Sequence, residues 1–159
     1  MRFLGVDYGR RRIGLAVSDA SGSLARPWEI VAAEATPRAS AKAIATIVAA
    51  REANEELSDL AGIVVGLPRR LGGEDNEQSG EAREFAAALA ELTRLETHLQ
   101  DERLTSHEAD ARLAEREPDW RRRKEKLDAA AAAIILQDFL DARARAAFVA
   151  ADDPQDAGC

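Results

Sequence analysis

Phe3-Leu4-Gly5-Val6-Asp7-Tyr8-Gly9-Arg10-Arg11-Arg12-Ile13-Gly14-Leu15-Ala16-Val17 is the stretch on which the reading of this chain turns. Two apolar runs, Phe3–Asp7 and Ile13–Val17, flank a short polar turn rich in arginine. That pattern is a hairpin of two antiparallel strands. A second turn at Ser21-Gly22 leads to a third strand near Trp28–Val31. The acid at the end of the first run is out of place. Asp7 alternates with Phe3 and Gly5 and so shares their face of a strand expected at the sheet centre. An ionised group there is costly unless something pairs with it. The plain alternative is an aspartate that caps the hairpin by accepting from the amides of the Tyr8–Arg12 turn.

Beyond the hairpins the period changes. Ala43, Ile44, Ile47 and Val48 fall at helical spacing within Arg38–Leu57, and Gly62–Leu67 is a short, uniformly apolar run of the kind found in buried parallel strands. A glycine-rich loop spans Pro68–Asn76, with Gly72-Gly73 a possible hinge. A helix over Glu77–Leu92, a strand over Leu95–Gln100, and helices over Thr105–Glu115 and Glu125–Arg145 follow. The expectation is an α/β fold: a mixed five-stranded sheet, three antiparallel hairpin strands then two parallel ones, with helices on both faces. This order of elements resembles the ribonuclease H-like fold. Residues 1–149 form one domain in this reading, and 150–159, rich in Asp, Pro and Gly, a disordered tail.

Composition narrows the function. In 159 residues, 46% hydrophobic and 32% charged describe a globular chain, and 4% aromatic leaves little for a surface built on base stacking. No apolar run approaches the roughly 18 residues of a membrane span, and the start lacks the order of a signal peptide. A lone cysteine, Cys159, points to a reducing cytoplasm. The two histidines, His98 and His107, make no Cys/His metal set with it. The formal charge of −7 argues against nucleic acid as a partner, but its distribution argues otherwise.

Two further acids join Asp7. From Asp128, positions i+4, i+7 and i+11 are Ala132, Ile135 and Phe139, so this carboxylate heads the apolar stripe of its helix. Asp138 and Asp141 lie off that stripe. The alternative for Asp128 is a first-turn residue favoured by the helix dipole. Glu102 closes the fifth strand within Asp101-Glu102-Arg103. With the first and fourth strands parallel and adjacent, Asp7 and Glu102 point at the C-terminal sheet edge, where α/β proteins bind ligands. Three converging carboxylates repel one another unless a hard cation joins them, and oxygen ligands suit Mg²⁺ or Mn²⁺. Such ions serve phosphodiester hydrolysis.

Positive charge is concentrated near the same edge: Arg10, Arg11 and Arg12 after Asp7; Arg69 and Arg70 after the fourth strand; Arg121, Arg122, Arg123, Lys124 and Lys126 before Asp128. The compensating acids are assigned elsewhere, Glu81 and Glu84 among them. A partner feels local potential within a Debye length of roughly 10 Å, so this rim suits a phosphate backbone.

Four stretches resemble the YqgF (RuvX) family of RNase H-like nucleases: Gly5–Gly9 running on through Arg12–Asp19; Val65-Gly66-Leu67-Pro68 with Gly72-Gly73; Asp101–Thr105; and Lys126-Leu127-Asp128 with Ala131-Ala132 and Ile135-Leu136. The resemblance implies a metal-dependent endonuclease acting at the 5′ end of precursor 16S rRNA in ribosome biogenesis, with ribosomal particles as further partners. Holliday-junction or other branched-DNA resolution is the alternative. It implies Asp7, Glu102 and Asp128 as catalytic metal ligands. RuvC-type resolvases carry a fourth acid one turn after the last, where this chain has Ala131, a departure that bears on a second ion. Two rival readings are an actin-like ATP-binding lobe, suggested by Asp7-x-Gly9 with Gly14, and a non-catalytic nucleic-acid-binding module.

Overall fold

The computed structural model describes residues 1–69, 72–102 and 120–151, with the side chains of 120–127 excepted. Five strands, β1 (Arg2–Tyr8), β2 (Arg12–Ser18), β3 (Ala25–Ala32), β4 (Leu60–Leu67) and β5 (Glu96–Asp101), form one sheet in the order β3-β2-β1-β4-β5. β1–β2 and β2–β3 pair antiparallel, β1–β4 and β4–β5 parallel. The expected mixed sheet is the observed one. β3 begins earlier than Trp28 because it is an edge strand. There Pro27 costs no ladder bond, and the pairing absorbs it by a register shift opposite Leu15/Ala16.

Helices α1 (Pro37–Ala53) and α2 (Glu77–Thr93) cover one face, and α3 (Trp120–Ala151) crosses the other. α1 starts on a Thr36 cap bonded to the Ala39 amide and stops short of Leu57. Asn54 donates back to Ala50, and Glu55 turns left-handed at φ 65°. Leu57 is nevertheless buried, tucked in after the helix end. α2 opens with a reciprocal capping box between Asn76 and Ser79.

Strand alternation splits the core. Leu4, Val6, Ile13, Leu15, Ile63 and Val65 face α1 and α2 around Phe85. Phe3, Ala16 and Val64 face α3 through Ala132, Ile135, Leu136 and Leu140. Asp7, two residues on from Gly5 and four from Phe3, is therefore on the α3 face, as its alternation requires. α3 lies very close to the sheet. A Cβ on Gly5 would stand 2.7 Å from the Leu136 Cβ and 2.9 Å from the Ala132 carbonyl.

α3 is longer than the expected Glu125–Arg145 at both ends. The basic residues 121–124, expected ahead of the helix, are thus part of it, and the helix continues two residues into the segment expected as tail. The expected helix at Thr105–Glu115, with His107, and residues 152–159 lie outside the described residues. Among the described residues no helix is long and apolar enough to cross a membrane.

Candidate active site

β1 carries Asp7 to the C-terminal end of the central strand, where it pairs in register with Gly14 of β2. β4 and β5 run parallel to β1, so Glu102, one residue past β5, arrives at the same edge, its amide bonded to the Leu67 carbonyl at 3.2 Å. The two carboxyl groups share a hydrogen bond. Gly66 makes room for it: a Cβ there would lie 2.5 Å from a Glu102 carboxylate oxygen and 2.6 Å from Ile135 Cδ1. Asp7 is thus bonded to a second acid, not spent on capping its own hairpin.

Asp128 comes from α3. It sits in the third turn, and the first turn holds no acid, so the helix dipole does not account for it. Its main chain lies against β2 at Gly14, where a Cβ would clash with the Asp128 carbonyl and stand 3.1 Å from the Ala129 amide. Ala132 and Ile135 below it are fully buried, and Phe139 packs on Phe3 with ring centroids 5.6 Å apart. Asp138 and Asp141 are exposed, as their place off the stripe implies.

The electrostatics record the crowding. Burial, then the Asp128 charge, raise Asp7 from 3.8 to about 6, against the lowering effect of the Glu102 hydrogen bond. Burial first, then the charge and hydrogen bond of Asp7 and the charge of Asp101, raise Glu102 from 4.5 to about 8. The pair holds one shared proton near neutral pH. Three carboxylates with two of them resisting ionisation form a donor set suited to a hard divalent cation. Yet no group of three His, Cys, Asp or Glu side chains among the described residues is arranged to hold a metal ion. Asp128 is engaged by Arg12, Nε to Oδ2 at 3.0 Å.

These shifts predict a stability profile. The folded chain binds more protons than the unfolded one from about pH 4 to about pH 8, so stability falls as pH rises through that window. Asp19 and Asp59 are lowered from 3.8 and act only below it. Urea unfolding in EDTA should show a midpoint that declines from pH 4.5 to 8. A flat profile would mean that the Asp7–Glu102 pair is not strained.

The basic rim is less open than the sequence implies. Arg10 pairs with Glu81 at 3.1 Å and Glu77 at 3.6 Å, so the acids of α2 are beside the rim rather than remote from it. Arg69 reaches Asp75 at 3.2 Å and Asp101 at 3.9 Å, and Arg83 also holds Asp75. Arg11 is exposed. Arg70 and the side chains of Arg121, Arg122, Arg123, Lys124 and Lys126 lie outside the described residues. Gly73 adopts φ 86° in the loop before α2. His98 is half-buried on β5 against Phe139, and Trp28 lies under the Arg51 guanidinium; both are packing residues. Gly14 and Gly66 stand in the sequence motifs without their role in close approach, although a glycine inside an apolar strand is a sign of it.

An antiparallel three-strand meander extended by two parallel strands, with carboxylates at the open edge, defines a ribonuclease H-like scaffold. RuvC of Thermus thermophilus, solved in complex with a Holliday junction substrate, shares this fold at a TM-score of 0.51 and 18% identity, over 90% of this chain and 95% of that one. A family model described as "RuvX: Holliday junction resolvase" matches residues 1–142. A protein of Koribacter versatilis named "Putative pre-16S rRNA nuclease" is 42% identical over 142 residues, 89% of this chain and 88% of its own. One of the same name from Pelotomaculum thermopropionicum is 37% identical over 145 residues, 91% and 90% of the two chains. The chain belongs to the RuvX family, a family of nucleases, and is a hydrolase of phosphodiester bonds.

Proposed function

We propose that this chain is a cytoplasmic, divalent-metal-dependent endonuclease that trims precursor 16S rRNA during ribosome biogenesis, with Asp7, Glu102 and Asp128 as its ligands for Mg²⁺ or Mn²⁺. The observation that carries the reading is the buried, hydrogen-bonded Asp7–Glu102 pair at the open edge of the central strands, both carboxyls raised first by burial and Asp7 also by the nearby Asp128 charge. Nothing in ordinary packing rewards such a pair, since each charge makes the other more costly. The names of the relatives supply the substrate class.

When bound, the ion would supply Lewis-acid activation of water and neutralise charge on the leaving oxygen. The chain's own residues do the rest. Asp7 at the end of β1 and Glu102 just past the parallel β5 would set the position of the ion, and through it of the reacting phosphate, giving up, on binding, the proton they share near neutral pH. Ile135 and Ala132 of α3 close the floor of the site against water. Arg10, Arg11, Arg12 and Arg69 line the approach as backbone contacts, with Arg70, Arg121–Arg123, Lys124 and Lys126 proposed from sequence. Partly exposed ion pairs contribute only about 0–1 kcal/mol each, so a phosphate can displace Glu81 from Arg10 or Asp75 from Arg69 at little cost.

The family description favours a second reading, branched-DNA resolution. Cleavage of a precursor 16S rRNA fragment, single-stranded DNA and a four-way junction, each with Mn²⁺ and with EDTA, separates the two. The RNA is expected to be cut with Mn²⁺ and spared in EDTA. Preferential cutting of the junction would transfer the assignment to DNA, and cutting in EDTA would remove the metal.

A further inference from the structure

We propose that Arg12 is a positioning residue that holds the Asp128 carboxylate away from Asp7 and Glu102 and yields it to the divalent ion. Ion loading then frees the guanidinium for a substrate phosphate. The inference rests on the reading of the three carboxylates as ligands.

Asp128 lies within reach of Arg12 on β2 and close enough to Asp7 on β1 for its charge to be felt there. Its main chain is seated on β2 at Gly14, too close for even a methyl group to intervene. Gly14 is the register partner of Asp7. Arg12 is two residues back along β2, on the same face. With the backbone pinned at Gly14, side-chain rotation takes the carboxylate toward Arg12 or toward Asp7. In the structure it engages Arg12 at 3.0 Å, while its charge still raises Asp7. Moving it to Asp7 and Glu102 without a cation would bring a further negative charge to a pair that already keeps a proton between its oxygens.

The hold is suited to release. The Arg12 and Asp128 side chains are 29% and 26% exposed, but the engaged Oδ2 is itself buried, so a competing cation rather than water loosens the pair. A divalent ion offers Asp128 twice the charge of the guanidinium and removes the repulsion at its destination. Arg12, left without its carboxylate at the mouth of a site for a phosphodiester, is placed for the anionic substrate. Ion and substrate binding are thereby coupled, each favouring the other.

Calorimetric titration of Mn²⁺ into the full-length protein and its variants tests this. Removing Arg12 removes a competitor worth an exposed ion pair, so Arg12→Gln should bind Mn²⁺ about two- to fivefold more tightly. Arg11→Gln, which deletes the same charge one residue away, sets the size of the purely electrostatic effect, and the Arg12 gain should exceed it at least about twofold. The unmutated protein gives a second readout: the Arg12 Nε–H resonance should shift during Mg²⁺ titration with the calorimetric midpoint. Weaker binding in Arg12→Gln, a gain equal to that of Arg11→Gln, or a stationary resonance at saturation overturns the inference. Unaltered Mn²⁺ binding by Asp7→Asn would instead strike at the ligand assignment itself and take the inference with it.

Discussion

Asp7→Asn is expected to slow cleavage about 10²- to 10³-fold, the scale on which one preorganised charge acts in a transition state, and at the same time to make the chain harder to unfold at pH 8. The two effects share a cause. Asparagine keeps the size of the side chain and a hydrogen bond to Glu102 but cannot ionise. The rise of Asp7 from 3.8 to about 6 corresponds to about 3 kcal/mol, shared with Glu102 because the two titrate together. Part of that cost disappears in the variant, and Glu102 also sheds its largest charged neighbour. The measurements are Mn²⁺-dependent cleavage and thermal unfolding in EDTA at pH 8. A variant both inactive and more stable identifies a residue kept for chemistry. One that is destabilised would return Asp7 to the role of a hairpin cap, and one of undiminished activity would exclude it from the site.

Gly14→Ala is expected to be the most damaging exchange of a single hydrogen for a methyl group in the described chain. The new Cβ would collide with the Asp128 carbonyl, a backbone atom that no rotamer change can move. α3 must retreat, and with it Ala132, Ile135 and Leu136 leave their seats against Phe3, Ala16 and Val64. Overpacking of this kind costs about 1–3 kcal/mol. Displacement of Asp128 by about 1 Å carries a further penalty of about 10²-fold in rate. Gly72→Ala, at a glycine with open space around it, is the comparison for thermal unfolding. If Gly14→Ala keeps the wild-type melting temperature and cleavage rate, α3 is not pinned where the structure places it, and the Arg12 argument loses its anchor.

Much of the architecture was legible because it depends on local pattern. Two apolar pentads around an arginine turn can hardly be other than a hairpin, and the β-branched run at Ile63-Val64-Val65 reads as a buried strand without help from its neighbours. Alternation placed Asp7 on the α3 face, and a 3.6-residue period placed Asp128 above Ala132 and Ile135. Helix ends were read less well, for they depend on one or two dihedral angles. The left-handed Glu55 ends α1 early, and nothing in the helical period around Leu57 announces it.

Charge partners were the part that spacing could not supply. In the sequence the arginines of the rim look open because their acids are far away along the chain: Arg10 and Glu81 are 71 residues apart and yet form an ion pair. The same holds for Arg12 and Asp128, which the seating of α3 on β2 at Gly14 brings together.

The amino-acid order by itself thus determined which segments become strands and helices, the faces they turn inward, and the three acids that packing alone does not explain. Periodicity is a property of neighbours along the chain and survives without a partner. Only the tertiary structure decided that Glu102 bonds to Asp7, that Arg12 takes Asp128, and that glycines at 14 and 66 clear the space between sheet, helix and carboxyl group. Those are contacts between distant segments, set by close packing at distances of a few ångströms that linear spacing does not encode.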